Sequence, residues 1–421
     1  MTAIEKIHSL DKFGSRPGLD RIKRFLSILG DPQDKLSFIH VAGTNGKGST
    51  CQLISSVLVD AGYKTGLFIS PYIVDFRERI QINGKMISEQ TLENAVERTF
   101  PILEKLRDEG CVITEFEYVT ALEFLIHSEA ECDVVVLETG MGGLLDCTNV
   151  IKPPICSVIT VIGLDHTAIL GSTLTEIARQ KCGIIKSGSV AVTSRQTAEV
   201  MSFIEEDCRK KSVMLKKADE LEIEVINSGL SGTTFLYNGT LIELPLIGEH
   251  QVDNAKTALA ALEIAKERFE ITNQNISSGF KKARNPARFE LLSEAPTVIL
   301  DGAHNPNGVE ALTKAVKRYV KGDGLLILGM LSDKDSITSV KLLGEVFGAV
   351  YTVPVDNPRS LKSGELGELC REQFDEVNVY ESVYDAFDAA YDRAKRENRP
   401  LVIAGSLYLA GEIRDRIISK T

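Results

Sequence analysis

The sequence predicts an α/β protein built as two domains. The first is a phosphate-loop domain on a parallel sheet with a small antiparallel addition, and the second is another doubly wound α/β domain. Three observations predict this. Apolar, β-branched runs alternate with helical periodicity almost throughout, the pattern of parallel strands flanked by helices. A glycine-rich turn, "AGTNGKGS", joins one such strand to the helix after it. After about residue 290 the alternation starts afresh and runs long enough for a domain of ordinary size.

In chain order, "LSFIHVA" reads as a buried strand ending at the glycine-rich turn. Leu53, Ile54, Val57 and Leu58 then recur at helical spacing. Further strands are predicted at 133–138 ("DVVVLE"), 156–163 ("CSVITVIG") and 189–194 ("SVAVTS"). The pairs Asn83-Gly84 and Asn238-Gly239 predict β-hairpins, the second within "TTFLYNGTLIELPL", which is the antiparallel addition. A helix is expected over 249–267. Beyond it, "TVILD", "GLLILG", "AVYTVPV", "VNVY" and "PLVIAG" read as strands alternating with four helical segments and followed by a C-terminal helix. Two prolines in "ARNPARFELLSEAP" interrupt the pattern, which places domains at 1–285 and 286–421 with a linker near 285–294.

The composition, 43% apolar and 25% charged, is that of a soluble globular protein. Neither a signal peptide nor an apolar run long enough to cross a bilayer is read in the sequence. Eight cysteines without C-x-x-C pairs point away from zinc and disulfides and toward reduced thiols in the cytoplasm. A formal net charge of −11 argues against nucleic acid as a partner but not against small anions held by local amides and a few cations.

The glycine-rich turn departs from the usual G-x-x-x-x-G-K-[ST] spelling. Gly43 and Gly46 are three apart, and Gly48 separates Lys47 from Ser49. A strand, glycines, a lysine, a serine and a helix N-terminus in this order are the parts of a polyphosphate site; the alternative is an ordinary βα turn. Glu138 closes "DVVVLE" where an acid can hold Mg²⁺, and "TGMGG" follows it. His166 in "GLDHTAILG" is expected at a strand end as a metal or phosphate contact. Lys181 reads by itself as a solvated lysine. "ILDGAHNPNG" ends a strand with Asp301 and His304 before a helix starting at Pro306. That segment is either a ribose or phosphate clamp or a capped turn.

Seven segments carry a resemblance: "HVAGTNGKGS", "SPYIVDFRERIQING", "GMGGLLDCTN", "DHTAILGSTLTEIARQKCGIIK", "GEHQVDNA", "PARFE" and "DGAHNP". In this order they resemble the folylpolyglutamate synthase/dihydrofolate synthase family, within the Mur-type ATP-dependent amide ligases. The resemblance implies a P-loop ATPase domain followed by a Rossmann-like ligase domain. It implies ATP held by Gly43, Asn45, Gly46, Lys47, Gly48, Ser49, Asn254, Arg288, Asp301 and His304. Two Mg²⁺ sites would involve Ser70, Glu138 and His166, and Lys181 would be carbamylated to support the second metal. Lys47, His166 and Lys181 are the implied catalytic set. The pterin end of a folate-like acceptor would meet Gly18, Leu19, Asp20 and Arg21, then Thr114, Phe116 and Glu117, then Leu145, Asp146 and Cys147. For Phe116, pterin stacking and core packing are both open.

The implied reaction is phosphorylation of a folate or dihydropteroate carboxylate followed by attack of L-glutamate, in a monomer. Two residues depart from the family pattern: Leu144 stands where many relatives carry arginine, and Asn285 where an aromatic is frequent. A peptidoglycan-precursor ligase is expected to carry a uridine-nucleotide domain ahead of its loop, for which residues 1–42 leave no room. A GTPase needs N-K-x-D, and a nicotinamide site needs G-x-G-x-x-G; neither is present. Another Mur-type ligase with a different carboxylate acceptor is the remaining alternative.

Overall fold

The computed structural model describes residues 1–10 and 18–420. Strands β1 (Phe38–Ala42), β2 (Thr65–Phe68), β3 (Ile80–Ile82), β4 (Lys85–Met86), β5 (Val134–Glu138), β6 (Cys156–Ile159), β7 (Val190–Thr193) and β8 (Met214–Lys217) form one sheet. Its order is β4-β3-β2-β5-β1-β6-β7-β8. Pairing is parallel from β2 to β8 across the sheet, and only the β2–β3 and β3–β4 pairs run antiparallel. Every residue of β1, β2, β5 and β6 is buried, as expected when helices cover both faces.

The helix Lys47–Asp60 leaves the end of β1 and buries Leu53, Ile54, Val57 and Leu58, the four residues whose spacing predicted it. The helix Glu115–Glu129 starts from a reciprocal cap in which Thr114 and Glu117 satisfy each other's backbone amides. Both Asn-Gly pairs turn with positive φ at each residue, 52° and 72° at Asn83-Gly84 and 49° and 72° at Asn238-Gly239. The second pair joins β10 (Gly232–Tyr237) to β11 (Thr240–Leu244) in a three-stranded sheet whose outer member is β9 (Glu224–Gly229).

A third sheet holds β12 (Glu290–Glu294), β13 (Thr297–Leu300), β14 (Gly324–Leu328), β15 (Phe347–Thr352), β16 (Glu376–Val379) and β17 (Leu401–Ala404). Its order is β12-β13-β17-β14-β15-β16, parallel except for β12 against β13. The four expected helices and the C-terminal one are Pro306–Tyr319, Ser336–Gly344, Ser363–Cys370, Val383–Glu397 and Leu407–Lys420.

The chain forms two compact units, one of residues 1–224, 236–242 and 252–283, the other of 225–235, 243–251 and 284–421. The first holds one buried cluster around Phe25, Phe68, Tyr118 and Phe124 and another around Ile177, Val200 and Ile204; the second is centred on Phe289, Leu326, Phe347 and Val402.

Three sequence expectations are corrected. The strand predicted to reach residue 163 stops at Ile159, because the next backbone groups are drawn into other partnerships described below. The stretch taken as linker contains β12, held by antiparallel pairing with β13. Strands β8 and β9 were not anticipated: their polar sequences, "MLKK" and "EVINSG", lack the apolar run of a buried strand.

Candidate functional site

The phosphate loop is fixed on three sides. On its first side, Thr44 and Asn45 donate their backbone N–H groups to the Val161 carbonyl at 2.9 and 3.4 Å. The Thr44 hydroxyl donates to the Gly163 carbonyl and accepts from the Gly163 N–H, each at 3.0 Å. These bonds are what end β6 early: the Val161 and Gly163 backbone binds the loop instead of continuing the ladder. Behind the loop, Gln196 accepts from the Ile162 N–H and donates to the Thr160 carbonyl, both at 3.0 Å. On the third side, the Lys181 Nζ donates to the Gly43 carbonyl at 2.8 Å.

Two glycines are required sterically. A Cβ on Gly43 would overlap Thr160, and one on Gly46 would overlap the Asn254 side-chain amide. Gly46 also has φ 87° as it opens the helix. Asn254, far along the sequence, is thereby placed against the loop.

Lys47 starts the helix, and its Nζ donates to the Thr44 carbonyl at 3.2 Å and lies 3.9 Å from Glu138 Oε1. Glu138, buried at the end of β5, accepts from the Ser70 backbone N–H at 3.2 Å. Adjacent strands β1 and β5 thus bring a cation and a carboxylate to one helix N-terminus. A polyphosphate fits the loop's small residues, the helix N-terminus and Lys47. A hard divalent ion fits Glu138, Ser70 and phosphate oxygens, the mixed set Mg²⁺ favours. Among the described residues no group of three or more His, Cys, Asp or Glu side chains is placed to hold a metal by itself.

Lys181, at the end of the helix Leu174–Lys181, is buried. This corrects its reading as a solvated lysine. Burial first and the neighbouring Lys47 charge second pull its ammonium down to about 7, against the opposing pull of Asp165 and Asp146. An amine titrating near 7 is about half unprotonated there, and only that form is nucleophilic enough to react with CO₂. His166 is not at a strand end: it sits in the left-handed conformation (φ 50°) before the short helix Thr167–Leu170, exposed, with Nε2 3.9 Å from Asp165 Oδ2.

The expected acceptor segments form hydrogen-bonded pieces of the same unit. Gly18 and Leu19 lead into the helix Asp20–Ile28, from which Arg21 reaches Glu117 at 3.0 Å. Glu117 is therefore shared between Arg21 and the Thr114 amide and hydroxyl, both at 2.9 Å. Phe116 lies against Gly140, where a Cβ would collide with its ring, and 6.1 Å from the Phe68 ring. Cys147 is buried, with Sγ 3.2 Å from Thr120 Oγ1, whereas Leu144 and Leu145 are exposed.

Asp146 is buried, and its carboxylate organises its own loop. Oδ2 accepts from the Met141 N–H at 2.8 Å; Oδ1 accepts from the Thr148 N–H at 3.0 Å and the Thr148 hydroxyl at 2.6 Å. Burial raises its affinity for a proton, and the hydroxyl and amides oppose that rise without cancelling it.

In the second unit, Asp301 follows β13. Its carboxylate accepts from the Phe289 N–H at 2.6 Å and the Ala303 N–H at 2.7 Å. Burial raises its proton affinity, against the pull of Arg288 and the two amides. Arg288 crowds Gly302, and His304 Nδ1 lies 2.8 Å from the Gly302 carbonyl oxygen. Arg288, Asp301 and His304 are therefore one cluster. His250 is half-buried beside it, drawn down to about 4 by desolvation and then by Arg288.

Sequence reasoning missed several residues of the first site. His40, in β1, contacts Thr148 Oγ1 at 2.9 Å. Lys186 donates to the Asn149 carbonyl at 2.9 Å and to that of Ile151. Asn149 donates to the Leu144 and Gly183 carbonyls at 3.2 and 3.1 Å. Gln196 and Thr44 complete the set. The one available signal was a polar residue in an otherwise apolar strand, as at His40 in "SFIHVA".

Residues 41–262 match the Mur ligase middle domain, and residues 287–407 match the Mur ligase, glutamate ligase domain. A dihydrofolate synthase/folylpolyglutamate synthase of Bacillus subtilis is 37% identical, covering 98% of this chain and 97% of its own. The folylpolyglutamate synthase of Lacticaseibacillus casei is 35% identical over 98% and 97%. The structure of Mycobacterium tuberculosis folylpolyglutamate synthase complexed with ADP and AMPPCP superposes with a TM-score of 0.90, at 32% identity over 99% of each chain. An Escherichia coli relative solved in complex with DHPP and ADP gives 0.88, at 31% identity over 100% of this chain and 98% of its own.

Proposed function

The chain belongs to the folylpolyglutamate synthase/dihydrofolate synthase family of Mur-type ligases, and from that premise we propose that it adds L-glutamate to the carboxylate of a reduced folate through an acyl phosphate. It is an ATP-dependent ligase. The observation that carries the reading is the meeting of the phosphate loop, Lys47 and the Glu138 carboxylate at one helix N-terminus.

A carboxylate oxygen of the acceptor attacks the γ-phosphorus of ATP, the bond to the bridging oxygen breaks, and ADP leaves. The glutamate amine then adds to the acyl carbon, loses its proton and expels inorganic phosphate, leaving an amide. Carboxylate and triphosphate are both anions, so the first step depends on positioning and charge compensation. The loop amides and Lys47 supply both, with Gly48, Ser49 and Asn254 completing the cradle. Ser70, Glu138 and His166 would hold two Mg²⁺ ions, which would supply neutralisation of phosphate charge.

Carbamylation would convert Lys181 from a potential cation into an anion, the form suited to a second metal, and an amine already about half unprotonated near pH 7 supports this role. Arg288, Asp301 and His304 are assigned to the nucleotide; Gly18 to Arg21, Thr114, Phe116, Glu117 and Leu145 to Cys147 are assigned to the pterin end. The same pterin segments suit dihydropteroate, so we extend the proposal to dihydrofolate synthesis. A cytoplasmic monomer acting on small molecules completes the reading; among the described residues no helix is long and apolar enough to cross a membrane.

The test is product mass after incubating pure protein with ATP, Mg²⁺ and L-glutamate, with a reduced folate in one reaction and dihydropteroate in the other. Glutamyl addition to folate alone defines a folylpolyglutamate synthase, and addition to both a bifunctional enzyme. Addition to neither overturns the acceptor assignment and leaves a Mur-type ligase with another carboxylate substrate.

A further inference from the structure

We infer that His40 and Thr148 are positioning residues for the acceptor: a buried hydrogen-bond chain from His40 through Thr148 to Asp146 holds the acceptor loop against the strand that carries the phosphate loop. The inference rests on the assignment of Leu145, Asp146 and Cys147 to the acceptor.

Directionality follows from the atoms. The Asp146 carboxylate, when ionised, only accepts, so the 2.6 Å contact with Thr148 is a donation by the Thr148 hydroxyl. That hydroxyl has one proton, so its 2.9 Å contact with His40 Nε2 must be a donation by the ring N–H. The imidazole is therefore the neutral Nε2–H tautomer. Its complete burial agrees, since desolvation first and the nearby Lys186 charge second hold it down to about 3. His40 Nδ1 has no hydrogen-bond partner among the described residues, so the ring is held through Nε2 alone.

The chain adds a side-chain link between two parts already brought together by β1–β5 pairing and by the bond from the Thr139 N–H to the Val41 carbonyl. His40 lies on β1 three residues before Gly43. Thr148 and Asp146 belong to the loop after β5, which turns back on itself through the Asp146–Met141 bond. Removing the chain leaves β1 and the phosphate loop in place, because their own bonds go to residues 161, 163 and 181. It takes one anchor from the loop that bears Leu145 to Cys147, which keeps the bonds from the Leu144 N–H to the Gln180 carbonyl and from Asn149 to the Gly183 carbonyl. The expected loss is therefore selective for acceptor binding.

The experiment measures KM for the acceptor, kcat, KM for ATP and nucleotide affinity for wild type, Thr148→Val, Thr148→Ser, His40→Leu and His40→Gln. Serine keeps the hydroxyl, and glutamine keeps an N–H donor near the position of Nε2. Thr148→Val and His40→Leu are each expected to raise the acceptor KM about tenfold, the scale of one lost buried hydrogen bond. Nucleotide affinity should stay within about twofold, and the Ser and Gln variants should recover most of the loss.

Equal losses for acceptor and nucleotide, or no difference between each conservative variant and its partner, overturn the inference. If one apolar variant lacks a native melting transition, the other pair decides by the same criterion. If neither apolar variant folds, the inference stands or falls on acceptor KM in the Ser and Gln variants: values within about threefold of wild type support it, and larger rises overturn it. Wild-type protein that glutamylates neither folate nor dihydropteroate overturns the acceptor assignment itself, an outcome distinct from all of these.

Discussion

Two strand ends look alike in sequence and do different work. "VVVLE" and "TVILD" each bury an apolar strand and close it with an acid. Glu138 lies 3.9 Å from the Lys47 ammonium and accepts from the Ser70 backbone amide. Asp301 takes two short bonds from the Phe289 and Ala303 amides, one on each oxygen. The first carboxylate is set beside a cation at a helix N-terminus, where charge can be handed to a ligand. The second is tied to the backbone amides of Ala303 and of Phe289, which itself sits at positive φ (48°). The acid alone does not say which; the donors around it do.

The comparison breaks most readily at Lys47. Lys47→Ala should cut turnover by at least about 10³-fold with an unchanged melting transition, since the lysine acts on developing charge; retained activity would remove the loop from the reaction. Glu138→Gln should come next, lowering kcat by about 10²–10³-fold with little effect on unfolding in denaturant. Asp301→Asn should show the opposite emphasis. An amide NH₂ set against a backbone N–H is expected to cost about 1.5–3 kcal/mol of stability in the second unit, read from its denaturation midpoint. A stable Asp301→Asn protein beside an unstable Glu138→Gln protein would invert the contrast.

Lys181 gives the least abrupt and most pH-dependent effect, a stability slope spread over several pH units. Its ordinary value is 10.5 and its folded value about 7, so the folded state is proton-poor between those limits. Its contribution to stability therefore grows as pH rises through that window, by about 1.4 kcal/mol per unit at most, and a Lys181→Met variant should lose that slope. A carbamate signal from ¹³C-bicarbonate should strengthen as pH passes 7 and be missing from the same variant.

Much of the fold was legible because burial writes itself as composition. The apolar strands β1 and β5 and the helix Lys47–Asp60 read directly, as did the Asn-Gly hairpins. The edge strands β8 and β12 did not, since an edge is specified by its neighbour's backbone and not by its own side chains. The end of β6 was misplaced for a related reason: Thr160 to Gly163 are as strand-like as the residues before them, but Thr44, Asn45 and Gln196 claim their backbone.

At the site, the glycines, Lys47 and Glu138 announced themselves through motif spacing. His40, Thr148 and Asn149 were invisible because their meaning lies in partners distant in sequence, as with the 108 residues separating His40 from Thr148. Lys181 needed its burial, which no local pattern reports.

The strand bearing the phosphate loop occupies the middle of the eight-stranded order, with β5 and β6 on either side, while β4 and β8 lie at the rims. Amide hydrogens at the middle of such a sheet exchange with solvent only when the whole unit opens, and those at the rims exchange through local fraying. The loop is therefore expected to be anchored in the slowest-exchanging part of its own sheet. Nucleotide binding should add little further protection to Val41 and Ala42, and any slowing of exchange on ligation should fall on the turns between strands.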